Sequence, residues 1–203
     1  MKELAAPSCG AGGFGRFKPG AEELRTEGTK YLSSLFAEFA SRDGLIQTKL
    51  ENGEFGLGAL RNYLLPGMIE SGRYCAADVE AFSLLVQELP GAGAHLASPF
   101  LGQLVLSARD EDFVIHTSHL PWRMDYFLRH NTKNVVVEGP AGNFACSGMK
   151  SGLVRLEGGC GSHLGQYMEG GRIEAAGPLD HSFLGYGLRG GAVYLGGVLA
   201  AGK

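Results

Sequence analysis

Long apolar runs, clustered basic residues and metal-type cysteine spacings are all missing from this chain. No stretch approaches the roughly 18 consecutive apolar residues of a membrane-spanning helix, which sets membrane insertion aside. Charged residues make up 19% of the 203, the formal net charge is −3, and 13 of the 18 Lys and Arg precede Val135 without forming a block. Nucleic acid is therefore not an expected partner. The four cysteines, Cys9, Cys75, Cys146 and Cys160, stand at spacings that fit no zinc or iron-sulfur pattern, so reduced, core-filling thiols are expected. The opening MKELAAPSCGAGGFGRF has no apolar segment of the kind a secretory leader carries. The expectation is a soluble cytoplasmic protein of one or two small domains without a bound cofactor.

Glycine is what the chain has in excess, 33 in all and 18 of them in the 69 residues from Val135 onward. Gly139, Gly158, Gly177 and Gly196 recur every 19 residues, and the surrounding text recurs with them as three copies and a truncated fourth. A fixed period near 20 residues means that each unit is one supersecondary element, able to bury its apolar face only by stacking on its neighbours. At this offset Val135 lies over Val154, Ile173 and Ala192, and Val137 over Leu156, Ala175 and Tyr194. Val136, Arg155, Glu174 and Val193 fall between them, so the segment alternates with period two and reads as a strand with one face inward. Met149 over Met168, beside Lys150 and Glu169, forms a second apolar column.

Each unit therefore reads as a strand, a turn, a second short stretch and a Gly-Gly corner, and the units climb as a parallel β-helix at roughly 4.8 Å per coil. In the third copy Asp180 replaces the glycine of Gly142 and Gly161, one residue is inserted before Leu188, and one is missing between Gly191 and Gly196. This predicts a bulge at that corner with the overall period preserved. The fourth unit stops early, which leaves the Ala192–Leu195 edge open and makes Val193 and Tyr194 the expected interaction surface.

The pattern carried by Gly139, Gly142, Met149 and Gly152, by Gly158, Gly161, Gly165, Met168, Gly170 and Gly171, and continued at Gly177, Gly190 and Gly196, resembles a known repeat. It is the GXGXG repeat of the C-terminal domain of the glutamate synthase large subunit, and it is similar also to the repeat that one of the formylmethanofuran dehydrogenase subunits carries. The resemblance covers about one third of the chain. It implies a right-handed β-helix serving as a structural piece of a multisubunit oxidoreductase or transferase. In those families the catalytic cysteine, flavin, iron-sulfur and metallopterin sites lie in other domains or subunits. The resemblance thus implies no catalytic, cofactor-binding or metal residue here and, as partners, further copies of the chain or other subunits of an enzyme complex.

The rest of the chain reads differently. Residues 1–20 are expected to be a flexible arm and residues 21–100 a helical subdomain. In the latter, Tyr31, Leu32, Leu35, Phe36 and Phe39 share one helical face, a second helix runs near Ala77 to Leu89, and one or two short helices lie between them. Residues 101–134 are expected to supply strands and a cap. GQLVLSA and DFVIHTS have strand composition and are expected to form a hairpin or early rungs, and Trp122, Tyr126 and Phe127 of PWRMDYFLRHNTKN are placed over the first coil. Residues 135–203 form the β-helix, about three and a half coils, so the fold class is α+β.

Candidate chemistry is sparse. Gly10 to Gly15 satisfies G-x-G-x-x-G, but no apolar strand precedes it and Pro19-Gly20 follows, so nucleotide binding is not expected. His116 and His119, at the end of a strand with Asp110, Glu111 and Asp112 nearby, and His163 with His181 from successive coils, are the candidates for a metal or acid-base site. Neither pair has an identifiable third ligand, and surface or capping histidines are the expectation. Two functional readings follow. One is a noncatalytic structural or assembly module of an oxidoreductase complex. The other is a stand-alone enzyme or small-ligand-binding protein with a cleft between the helical part and the β-helix, where the histidines and Arg123 or Arg129 gather.

Overall fold

Parallel strand pairing organises the C-terminal half. The computed structural model describes residues 24–42, 67–179, 184–196 and, by backbone alone, 198–200; the expected arm, the Gly10 to Gly15 motif, Asp180 and His181 lie outside them. Strands β1 (Asp112–His116), β2 (Asn134–Glu138), β3 (Leu153–Leu156), β4 (Arg172–Ala175) and β5 (Ala192–Leu195) pair parallel in chain order, and β6 (Val198–Ala200) returns antiparallel along β5. The result is a parallel β-solenoid of about four turns with a helical N-terminal part, an α+β fold. Inward-facing Phe113, Val135, Val154, Ile173 and Val193 stack in register, as do Ile115, Val137, Leu156, Ala175 and Leu195. Outside, Arg155 and Arg172 reach Glu174 at 3.0 and 2.7 Å, and the Arg172 guanidinium lies 4.0 Å from the centre of the Tyr194 ring.

The far side of each coil explains the glycine text. Every second residue there has positive φ: Tyr126, Leu128 and His130 in the first coil, Phe144, Cys146 and Gly148 in the second, His163, Gly165 and Tyr167 in the third, and Gly185 and Gly187 in the fourth. A left-handed conformation costs an L-residue on the order of 1–2 kcal/mol and glycine almost nothing, which is why glycines alternate along this side. Where a side chain does occupy such a position, ring contacts of about 0.5–1.5 kcal/mol per pair offset the strain. Tyr126 stacks on Phe144 at 4.7 Å with planes 2° apart, and Phe144 stacks on His163 at 4.5 Å. One column over, large and small alternate: a Cβ on Gly148 would meet His130 Nδ1 at 2.6 Å, and one on Gly187 would meet the Tyr167 ring at 2.5 Å.

Corners between coils impose a harder limit. A Cβ on Gly158 would be driven into the Gly139 carbonyl, and one on Gly177 into that of Gly158, so this glycine column is set by backbone-on-backbone approach. Gly142 over Gly161 and the Gly152, Gly171 and Gly191 column are closed in the same way, as are Gly170 and Gly190, whose added Cβ atoms would strike carbonyls of the coil before. Met149 and Met168 are fully buried, with Leu188 packed beside them against the core.

Coil lengths depart from the expected 19. Strand register gives offsets of 22, 19, 19 and 20 residues. The solenoid therefore begins at β1, so DFVIHTS is an early rung and not half of a hairpin. Residues 121–134 do not cap it: they form the back of this first coil, with Phe127 buried and Tyr126 half exposed on the outer face. Between the first two coils the offset falls from 22 at the strand to 18 at the Tyr126 and Phe144 pair, so the corner at residues 117–124 carries four extra residues. The inserted residue before Leu188 is not cancelled before β5. Val193, not Ala192, lies over Ile173 and is 1% exposed, Leu195 takes the inner place expected for Tyr194, and Gly196 donates its N–H to the Ala175 carbonyl at 2.9 Å rather than joining the Gly177 column. Nor is the β5 edge open, because β6 pairs with it.

Three helices among the described residues cover the other end. α1 (Glu27–Ser41) is capped by Thr26, whose Oγ1 accepts from the Thr29 N–H at 3.0 Å. α2 (Ala76–Leu85) continues into a 3-10 turn at Val86–Glu88, and α3 (Ala94–Ser107) includes most of GQLVLSA, a stretch expected as strand. Its buried Leu96, Phe100, Leu101, Leu104 and Val105 recur at helical spacing. Phe36, Phe82 and Phe100 meet at 5.1 to 6.1 Å between ring centres and run into the solenoid interior as one core. Gly28 lets α1 approach α2, since a Cβ there would overlap the Asp78 carboxylate that Thr26 also bonds.

Replacing Gly158 or Gly177 by Ala is expected to destabilise by about 1–3 kcal/mol or more, a fall of roughly 2–4 °C in thermal midpoint per kcal/mol. Gly67→Ala, where an added Cβ meets nothing within 4 Å, should stay within about 0.5 kcal/mol of the parent.

Candidate functional site at the junction of helices and coil

The titratable side chains that the fold brings together lie where α2 crosses the first strand. α2 packs against β1, the edge strand of the sheet, and Ser83 joins the two. Its Oγ donates to the Glu80 carbonyl at 2.7 Å and accepts the His116 backbone N–H at 3.0 Å. This pins the C-terminal end of β1, and with it the His116 ring, beneath α2. The register that pairs β1 with β2 sets Glu138 directly beside His116, while the helix places Glu80 on the opposite side. His116 Nε2 lies 3.1 Å from Glu80 Oε1 and Nδ1 lies 3.1 Å from Glu138 Oε2. The Glu80 hydrogen bond, and then the charge of Glu138, hold the His116 pKa above its usual value against the opposing effect of burial.

His119 follows in the corner loop with the opposite character. Burial pushes its pKa down, the nearby His116 adds to this, and a backbone contact to Ser83 partly opposes it. Its Nε2 is buried without a hydrogen-bond partner among the described residues. Asp110, Glu111 and Asp112 do not join the histidines, because they stand at the other end of the strand. Asp110 accepts from the Ala76 N–H at the start of α2, Glu111 pairs with Lys133 at 2.6 Å, and Asp112 accepts from Asn134 at 2.9 Å.

The remaining sequence candidates are dispersed. His163 stacks on Phe144, with Nδ1 3.1 Å from Ser162 Oγ, on the far side of the coil that also carries Arg129. Arg123 borders an open depression of about 370 Å³ with Pro140, Gly159, Cys160, Pro178 and Leu179, and neither His116 nor His119 lines it. Among the described residues no group of three or more His, Cys, Asp or Glu is arranged to hold a metal ion. Burial pushes the thiols of Cys146 and Cys160 up, that of Cys160 to about 12, so both stay protonated and unreactive at neutral pH. Tyr194 lies on the outer face under Arg172, and Val193 belongs to the core.

Sequence reasoning missed Glu80, Ser83 and Glu138. Glu138 was readable only by recognising DFVIHTS as a coil in register with NVVVE, a step hidden by the four extra residues between them. Glu80 and Ser83, at i and i+3 on one helix face, had no sequence signal linking them to His116.

The architecture defines the chain as a β-solenoid protein whose first coil is sealed by helices. Comparison with family models, with curated proteins and with solved structures gives no match.

The two histidines with depressed pKa, His119 and His130, both lowered chiefly by burial, set an acid limit. A group whose folded pKa lies below its unfolded one leaves stability intact above the usual 6.5 and reduces it as pH falls through the folded value. Both side chains are partly solvated, so screening keeps the effect small. The expected drop in thermal midpoint from about pH 6.5, where the opposing contribution of His116 is complete, to about pH 5 is roughly 1–3 °C, and His119→Gln should remove part of it.

Proposed function

We propose that the protein is a noncatalytic structural or assembly module, built as part of, or derived from, a glutamate-synthase-like or formylmethanofuran-dehydrogenase-like oxidoreductase complex and working in the cytoplasm beside other subunits or further copies of itself. One observation carries this reading. Most of the residues that the sequence offers for chemistry, His119 and Arg123 excepted, are engaged where the structure describes them in holding coils and helices together. His116 joins α2 to β1 and β2, His130 faces the Gly148 carbonyl at 3.3 Å, His163 stacks in a ring column, and Cys146, Cys160, Met149 and Met168 fill the core. The alternating left-handed positions on the back of each coil give the glycine repeat a purely conformational role, which suits a scaffold. The junction between helices and solenoid weighs against the ligand-cleft alternative, since His116 there faces two carboxylates of the protein itself.

The exposed large hydrophobic side chains Tyr126, Tyr167 and Tyr186 all lie on the back of the coil, where tyrosine suits a partner surface. Native affinity capture with mass determination in solution tests the assignment. Co-recovery of an amidotransferase, flavin or metallopterin subunit at fixed stoichiometry is the expected result. A single-chain species that captures none of these overturns it. At the β5 end the informative variant is Tyr194→Glu, which is expected to release a partner bound there, whereas substitution of the buried Val193 would disturb the core first.

A further inference from the structure

We propose that His116 is a pH-gated clasp between the helical layer and the solenoid: as an imidazolium it ties Glu80 of α2 to Glu138 of β2, and loss of its proton loosens α2 from the first coil. The argument rests on donors and acceptors. An ionised carboxylate only accepts hydrogen bonds, and a neutral imidazole has one N–H. With Glu80 Oε1 and Glu138 Oε2 each 3.1 Å from a different ring nitrogen, a neutral ring must set a nitrogen lone pair against one carboxylate. The doubly protonated ring satisfies both with charge-assisted bonds.

The surroundings favour a reversible device over a fixed ion pair. The His116 side chain is 15% exposed, while Glu80 and Glu138 are 43% and 41% exposed, so water can solvate both carboxylates once the proton leaves. Facing the ring are Glu80 from α2, Glu138 from β2 and His119 from the corner loop; the Ser83 hydroxyl of α2 takes the His116 backbone N–H. The two carboxylates raise the histidine pKa above 6.5. Its contribution is therefore complete below pH 6.5 and is lost as pH rises through the folded value. His119, with a depressed pKa, acts only on the acid side, and the thiol of Cys75 at the start of α2 is told apart from His116 because its titration persists in His116→Gln.

Histidine-labelled full-length protein, titrated by NMR from about pH 5.5 to about pH 9.5, tests the clasp. Expected are both ring nitrogens of His116 protonated near pH 7, a midpoint above 6.5, and a lower midpoint in Glu80→Gln and, by less, in Glu138→Gln. Amide exchange in α2, corrected for intrinsic rates, should quicken about fivefold across the same midpoint, the most that a part-exposed ion pair provides. Amides of β4 serve as the unchanged reference, and His116→Gln should abolish the step in α2. A neutral His116 ring near pH 7, or α2 exchange that ignores its midpoint, overturns the proposal. Should His116→Gln fail to fold, the parent titration and Glu80→Gln decide alone.

Discussion

Backbone lying directly on backbone is the constraint that governs this molecule. Coils separated by one strand spacing leave no room for a side chain at the corner formed by Gly139, Gly158 and Gly177, where an added Cβ would enter the carbonyl of the coil before. Strands alone tolerate any inward apolar residue, as the Val, Ile, Leu and Ala columns show. The corners do not, and they fix the glycine spacing that runs through the sequence. The apolar interior follows from that spacing, since coils held this close must bury what faces inward.

Where glycine is absent, side-chain packing offsets the strain of the left-handed positions, by ring contact at Tyr126, Phe144, His163 and Tyr167 and by burial at Leu128 and Cys146. The first coil has no glycine at its three such positions and uses Tyr126, Leu128 and His130 instead. Tyr126 begins the ring column, Leu128 is buried with its backbone N–H beside Gly102 of α3, and His130 covers Gly148. The first coil is thus adapted on one side to helices and on the other to coils. Ser98 Oγ of α3 bonds the Asp125 carbonyl, and Asp125 Oδ1 in turn accepts the Asn143 N–H at 2.6 Å, so the helical layer, the first coil and the second are linked in series.

The same adaptation explains what could be read in advance. Strands β2, β3 and β4, the inward valines and the Arg155 to Glu174 pair were legible because glycine punctuates those coils at a constant interval. β1 was readable as a strand in DFVIHTS, but its register on β2 was hidden because its coil lacks that punctuation and carries four extra residues at 117–124. The end of α3 has the look of a strand because Leu104, Val105 and Leu106 have strand composition and Pro99 interrupts the run; burial against α1, α2 and the solenoid overrides that local preference. β5 sits one residue from its expected register because the loss that would offset the inserted residue does not precede the strand. At the junction, the histidines were visible and their partners were not, since Glu80 is brought to His116 only by the packing of a helix from 36 residues upstream.

The reversal at β6 carries a consequence for growth. A parallel solenoid that ended on β5 would present the next copy with an edge of the same polarity that each of its own coils accepts, an invitation to stack head to tail without limit. The antiparallel β6 gives the last edge the opposite polarity, and α2 lies over β1 at the first. The last described edge thus does not repeat the parallel geometry that joins each coil to the next.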